Sequence, residues 1–164
     1  MLLRSAFVAL ILLTPAAAFA KTFPVPAEDP VATVTIPDGW EPDNYEGGVE
    51  ATSPDHKVYI AAEMVEADEV SQATKEGIEW FDKQGVEIDA DSMKTKDTKE
   101  AGADAFELSF TGKDKDGPTA IVIELVKTNM AKKFLMLYFW GAPADAAKNA
   151  DELQKISDSL QLTK

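Results

Sequence analysis

The sequence predicts an α+β fold in which a mostly antiparallel β-sheet of about six strands lies between helical layers on both faces. Residues 119–126 (TAIVIELV) and 134–140 (FLMLYFW) are apolar on both faces, which is typical of strands in the middle of a sheet that is covered on both sides. Turn signals such as Asp116–Gly117 separate the strand-like segments by short connections. Because short hairpins join antiparallel neighbours, these connections favour an antiparallel sheet.

Alternation and composition place the remaining strands. Val58, Ile60, Ala62 and Met64 fall on one face of a strand, and Phe106, Leu108 and Phe110 do the same further along the chain. The strand-like segments are 31–36, 48–53, 57–65, 92–99, 103–113, 119–126 and 134–140, and residues 41–48 are predicted to form a loop.

Two segments have the apolar spacing of amphipathic helices. The first is predicted from Glu69 to about Gln84, with Asp68 as its N-cap and Gly85 as its stop. The second begins at Pro143 and runs as a single helix towards the end of the chain. The second helix has Asp145 in its first turn and a predicted buried stripe of Ala150, Leu153, Ile156 and Leu160.

The first twenty residues, MLLRSAFVALILLTPAAAFA, have the three parts of a cleavable signal peptide. Arg4 supplies the positive start, residues 6–13 the apolar run, and residues 18–20 the small side chains of a cleavage site. The apolar run is shorter than the roughly 20 residues that a spanning helix needs. We therefore expect export to the periplasm, with secretion as the alternative. Residues 1–20 are then the signal peptide, 21–30 an extended proline-rich leader, and 31–164 a single domain.

Composition narrows the classes of function. The 29 acidic residues outnumber the 16 basic ones and give a formal net charge of −13, which argues against nucleic acid and anionic membrane surfaces as partners. Cysteine is absent, so thiol chemistry, cysteine metal sites and haem attachment through cysteine are excluded. His56 is the only histidine, which argues against a catalytic triad or a multi-histidine zinc site. We expect no cofactor.

The acidic composition is compatible with a divalent cation as a partner. Glu87, Asp89 and Asp91 alternate, so an extended backbone would place three carboxylates on one side, although a solvated acidic connection between helix and strand accounts for them better. His56 lies in a turn beside an acid and is a second candidate ligand. Residues 114–117 (DKDG) resemble the start of a calcium loop, but a hairpin turn accounts for them better, because a strand follows at once.

An aromatic and acidic segment is the candidate docking surface. Trp40 and Tyr45 flank a loop that contains Glu41, Asp43 and Glu46. Exposed aromatic rings beside carboxylates suit a basic partner, which we expect to be another exported or membrane-associated protein. For Trp40 itself, a ring that seals one end of the core is the favoured prediction, with docking as the alternative.

The chain resembles the fold shared by the PsbP proteins of photosystem II and a nuclear Ran-binding import factor, a group that exported bacterial proteins of unknown role also resemble. Residues 33–40 (TVTIPDGW) carry the resemblance as an opening strand that ends in Pro-x-Gly-Trp, and residues 153–162 (LQKISDSLQL) carry it as a last helix. The resemblance implies an antiparallel sheet between helical layers. It also implies a binding or assembly accessory rather than an enzyme.

The sequence thus supports three hypotheses of function. The first is a non-enzymatic exported binding or assembly-accessory protein, since the chain has no Gly-x-Ser-x-Gly elbow or other catalytic motif. The second is a protein that binds a divalent cation or a small ligand through surface carboxylates. The third is a hydrolase with paired carboxylates, whose pairing in space the sequence does not show.

Overall fold

The computed structural model describes residues 20–163, so the predicted signal peptide lies outside the described residues except for Ala20. The strands of this region are β1 (Ala20–Val25), β2 (Ala32–Pro37), β3 (Asp43–Tyr45), β4 (Gly48–Thr52), β5 (Val58–Glu66), β6 (Glu87–Glu100), β7 (Ala103–Asp114), β8 (Gly117–Lys127), β9 (Lys133–Gly141) and β10 (Gln161–Leu162). The helices are α1 (Val70–Lys83), α2 (Pro143–Lys148) and α3 (Ala150–Asp158). No helix of this region is long and apolar enough to cross a membrane.

Seven strands form one antiparallel sheet in the order β3-β4-β5-β9-β8-β7-β6, which confirms the predicted fold class. The two segments that are apolar on both faces became the central strands β8 and β9, as a covered sheet requires. Helix α1 covers one face, where Phe81 and Ala73 pack against Ile121 and Ile123.

The other face is covered by a second, three-stranded sheet, β1-β2-β10, together with α3. Strand β1 occupies the first part of the segment predicted as an extended leader, and it pairs along its whole length with β2. Phe23 and Val25 of β1 are buried with Leu153 and Ile156 of α3. This strand is therefore part of the hydrophobic core.

The boundaries of two polar segments differ from the prediction. The predicted loop 41–48 contains strand β3, the edge of the large sheet, which pairs with β4 through Asn44 and Val49. The predicted edge strand 92–99 begins earlier, at Glu87, and its ladder shifts register between Asp89 and Lys94. Polar residues at a solvent-exposed edge do not show the apolar alternation by which strands are recognised.

The predicted cap of α1 is wrong. Glu69 occupies the N-cap position without a side-chain hydrogen bond, and the Asp68 carboxylate instead pairs with the Lys132 ammonium at 2.5 Å. The Asp68 backbone N–H donates to the Gln72 side-chain oxygen at 2.9 Å. The Asp68 carboxylate thus forms an ion pair with Lys132 and does not cap the helix.

The predicted single C-terminal helix is interrupted at Asn149. The backbone N–H and the side-chain amide of Asn149 both donate to the carbonyl of Asp145, at 3.1 and 2.9 Å, and so close α2. The Asn149 carbonyl then accepts from the N–H groups of Glu152 and Leu153 and starts α3. Ala150, which we expected to be buried, is exposed at this break.

Candidate functional site

The candidate site is a half-exposed patch on the helix α1 side of the large sheet, near its β3 edge. We call it the tyrosine face and define it by Tyr45, Glu50, Tyr59, Glu63 and Trp140. Register places all five side chains on one side of strands β3, β4, β5 and β9. The patch thus brings together aromatic rings and carboxylates from four strands.

A glycine lets Tyr45 reach Glu63 across an intervening strand. Tyr45 of β3 lies opposite Gly48 of β4, which in turn lies opposite Glu63 of β5. The Tyr45 hydroxyl donates to the Glu63 Oε2 atom at 2.8 Å. A Cβ atom at Gly48 would lie 1.9 Å from the Ala62 carbonyl oxygen, so a larger residue does not fit there without moving the strand.

Tyr59 and Glu50 form a second tyrosine–carboxylate pair. Glu50 lies opposite Ala61, and the Tyr59 hydroxyl reaches diagonally from the same strand to the Glu50 Oε2 atom at 2.5 Å. The Tyr59 ring also packs against Trp140, its direct cross-strand neighbour, with ring centroids 4.2 Å apart. Both hydroxyls therefore donate to carboxylates, and their rings form the apolar part of the patch.

The two carboxylates lack a cationic partner within residues 20–163, where no lysine, arginine or histidine forms an ion pair with Glu50 or Glu63. Burial raises the pKa of Glu63, although hydrogen bonds from Tyr45 and Tyr138 oppose the rise. Burial also raises the pKa of Tyr45 and Tyr59, with their glutamate partners adding to it, so both stay protonated donors at neutral pH. The face thus holds negative charge that its own chain does not neutralise.

The predicted docking residues do not form one surface, and only some of them lie at the tyrosine face. Tyr45 belongs to the tyrosine face, and exposed Asp43 lies directly opposite Glu50 on the same side. Trp40 is completely buried, and its Nε1–H donates to the Glu152 Oε2 atom at 2.5 Å, so its ring seals the core instead of meeting solvent.

The other two predicted docking acids lie outside the tyrosine face. The Glu41 carboxylate lies 3.6 Å from the His56 Nδ1 atom. Glu46 is exposed in the turn between β3 and β4.

The predicted cation ligands are not assembled into a cluster. Glu87 pairs with Lys113 at 2.9 Å, and Asp89 accepts from the backbone N–H of Asp91 at 3.1 Å. Both side chains of the His56–Glu41 pair are 65% exposed. Across residues 20–163, no group of three histidine, aspartate or glutamate side chains has an arrangement that could hold a metal ion.

The DKDG segment forms the predicted hairpin turn. Asp114 pairs with Gly117, and the Asp114 carboxylate accepts the backbone N–H groups of Asp116 and Gly117 at 2.8 and 3.1 Å. Gly117 has a φ of 123°, which favours glycine. These contacts explain the acids without an ion.

Glu50, Tyr59 and Glu63 were not among the residues that the sequence predicted for a site. The apolar alternation of Val58 and Ile60 on β5 directed attention to the buried face, while Tyr59 and Glu63 alternate on the opposite face of the same strand. An aromatic residue and an acid four positions apart on a strand are a usable signal, since both side chains point the same way.

A second concave region lies on the opposite side of the sheet. It is a cavity of about 340 Å³ between β8–β9 and helices α2–α3, which we call the helix groove. Its lining includes Val122, Glu124, Leu137, Phe139, Ala150 and Leu153.

Neither a protein-family model nor a curated protein sequence matches the chain, but solved structures do. The solution structure of cyanobacterial PsbP (CyanoP) from Synechocystis sp. PCC 6803 matches with a TM-score of 0.59 at 13% identity, over 88% of this chain and 93% of CyanoP. LpqN of Mycobacterium tuberculosis, described as involved in cell envelope biogenesis, matches with a TM-score of 0.56 at 15% identity, over 88% and 92%. The Saccharomyces cerevisiae Ran-binding protein Mog1p matches with a TM-score of 0.54 at 11% identity, over 90% and 97%.

These matches define the class of fold. Each covers nearly the whole of both chains, so the likeness extends to the complete arrangement of sheets and helices. The chain has the PsbP-like fold that Mog1p shares, which confirms the resemblance first seen in residues 33–40 and 153–162. At these identities the likeness concerns architecture, and function must come from the chain's own surface.

Proposed function

We propose that this chain is a non-enzymatic, exported binding protein that docks a basic segment of another exported or membrane-associated protein on its tyrosine face. The observation that carries the proposal is the pair of carboxylates, Glu50 and Glu63, whose hydrogen bonds come from tyrosines and whose charge no cation of residues 20–163 neutralises. A lysine or arginine of a partner would supply that charge. The predicted N-terminal signal peptide supports export, and the fold shared with LpqN, described as involved in cell envelope biogenesis, is consistent with it.

The aromatic rings support a protein partner over an inorganic ion. Tyr59 and Trp140 offer flat, half-exposed rings directly beside the carboxylates, and such rings attract lysine and arginine through cation–π contacts. Tyrosine and tryptophan also supply much of the contact energy at protein interfaces. Exposed Asp43 beside Glu50 adds negative charge at the sheet edge, where it steers a basic partner.

Binding of a basic peptide tests the proposal. We expect a short lysine–glycine peptide to bind the mature protein with an affinity that falls as salt rises, whereas a glutamate–glycine peptide of equal length should not bind. The double variant Glu50→Gln, Glu63→Gln keeps the shape of the face and should weaken binding at least tenfold, or about 1.4 kcal/mol. The measurement is calorimetric titration.

The control removes the same charge elsewhere. Asp91→Asn with Asp97→Asn neutralises two exposed acids of β6, at the opposite edge of the sheet, and should leave peptide binding nearly unchanged. Equal weakening by both double variants would mean that net charge alone attracts the peptide, and the docking face would then be wrong. In cells, a photo-crosslinker at exposed Asp43, on the same side of the sheet as Glu50, should capture a partner that one at exposed Lys94 of β6 does not.

A further inference from the structure

The helix groove is open because the side chains at the break between α2 and α3 are small. Ala146 and Ala150, on either side of Asn149, present only methyl groups above the sheet. The resulting cavity of about 340 Å³ is near the lower end of the size range of small-molecule sites. Val122 and Phe139 of the floor are half-exposed, so apolar surface remains in contact with solvent there.

Two glutamates face each other at one side of this groove. Glu107 of β7 lies directly opposite Glu124 of β8, and both line the cavity. Like charges directly opposite on neighbouring strands destabilise a sheet. The arrangement therefore has a cost that a cation placed between the two carboxylates would remove.

Of the two carboxylates, only that of Glu107 has a cationic partner in the described part of the chain. The Lys96 ammonium lies 3.7 Å from the Glu107 Oε2 atom, on the neighbouring strand β6. Glu124 accepts a hydrogen bond from the Ser157 hydroxyl at 3.1 Å and forms no ion pair within the described part of the chain. Burial raises the pKa of Glu124, and the charges of Glu100 and Glu107 add to that rise.

We infer that the helix groove binds a small organic cation, namely a primary ammonium ion that carries a short apolar chain. Its ammonium group would lie between Glu107 and Glu124, and its chain would cover Val122, Phe139 and Leu153. An ammonium has three N–H donors, enough to satisfy both carboxylates at once. The apolar walls favour an amphiphilic amine over an inorganic cation, because burial of the chain adds hydrophobic free energy.

Titration with hexylammonium chloride, followed by amide chemical shifts, tests this inference. We expect saturable shifts in the groove residues of β7, β8, β9, α2 and α3, with affinity at least tenfold higher than that of hexanol. Hexanoate, which has a chain of similar length and the opposite charge, should bind more weakly still. Equal affinity for the amine and the alcohol, or the absence of shifts in the groove residues, would overturn the inference.

Two variants separate charge from shape. Glu124→Gln keeps the side-chain volume and should weaken hexylammonium binding at least tenfold, whereas Ala150→Phe should block the groove from its exposed rim. Unchanged binding in Glu124→Gln would disprove the site. Glu76→Gln, an exposed acid of α1 on the opposite side of the sheet, is the matched control and should bind like wild type. Peptide binding is tested with the double variant Glu50→Gln, Glu63→Gln and hexylammonium binding with Glu124→Gln, so the proposed function and the groove can fail separately.

Discussion

Thr119 has a buried hydroxyl whose hydrogen-bonding capacity is not used. Its side chain is 1% exposed, and its Oγ1 atom has no hydrogen-bond partner, which is true of no other buried side-chain polar atom in residues 20–163. An unpaired buried polar group keeps its desolvation cost without a compensating bond. Replacing the hydroxyl by a methyl group of similar size removes that cost.

We therefore expect Thr119→Val to raise the free energy of unfolding by about 1 kcal/mol, measured by urea denaturation at neutral pH. Thr74→Val is the matched control, because the Thr74 hydroxyl is also buried but donates to the Val70 carbonyl oxygen at 2.8 Å inside α1. That control should not be stabilised. If Thr119→Val destabilises the protein instead, its hydroxyl has a partner in solution.

At the scale of elements, helix α2 is tied to the turn between β4 and β5 by one ion pair. The Lys148 ammonium lies 2.6 Å from the Asp55 Oδ2 atom, and the Ser53 hydroxyl donates to the Asp55 Oδ1 atom at 2.7 Å. The hydrogen bond from Lys148, followed by that from Ser53, lowers the pKa of Asp55 from 3.8 to about 2. The contact links two segments that are far apart in sequence.

This ion pair predicts an acid-dependent difference between wild type and Lys148→Met. A carboxyl whose pKa is lowered by folding stabilises the fold above its ordinary pKa, and that contribution is lost as the pH falls from about 4 to about 2. Lys148→Met should therefore be less stable than wild type at neutral pH, and the difference should shrink as the pH falls towards about 2. Urea unfolding across this range measures the difference, with Lys115→Met at an exposed hairpin tip as the control. A pH-independent difference would assign the effect to packing.

The sequence predicted the elements that a hydrophobic pattern determines, and it did not predict those that depend on specific hydrogen bonds or on strand register. Strands β8 and β9 were predictable because a covered sheet demands apolar residues on both faces. The break at Asn149 was not, since it depends on two hydrogen bonds to one carbonyl inside a continuous apolar stripe. Of the five residues of the tyrosine face, the sequence predicted only Tyr45 as a docking residue. Tyr45 contacts Glu63 because of the register of β3, β4 and β5, and periodicity along a single strand does not reveal that register.

On the scale of the whole molecule, half-exposed glutamates lie on both sides of the large sheet. Glu63 lies on the tyrosine face, Glu124 lines the helix groove, and half-buried Glu100 lies close enough to Glu124 to raise its pKa. The chain as a whole carries a formal net charge of −13, so self-repulsion adds to these local costs at neutral pH. Both proposed ligands are cations that would relieve this repulsion on opposite sides of one sheet.

The same charges predict that the protein is more stable in mild acid than at neutral pH. Burial raises the pKa of Glu63, Glu100 and Glu124 in the folded state above the ordinary value of 4.5. Between the ordinary and the raised pKa the folded chain binds more protons than the unfolded chain. The free energy of unfolding therefore falls as the pH rises through the raised values. Urea unfolding from about pH 5 to about pH 8 should show this decline.

The triple variant Glu63→Gln, Glu100→Gln, Glu124→Gln should flatten the decline, because its amides do not titrate. A control that changes the exposed residues Glu28, Glu69 and Glu76 to glutamine alters the net charge equally but leaves the half-buried carboxyls in place. It should lower general repulsion at every pH and keep the slope that the half-buried groups cause. If both triple variants flatten the curve equally, the pH dependence comes from total charge, and the local environments of the three glutamates play no part in it.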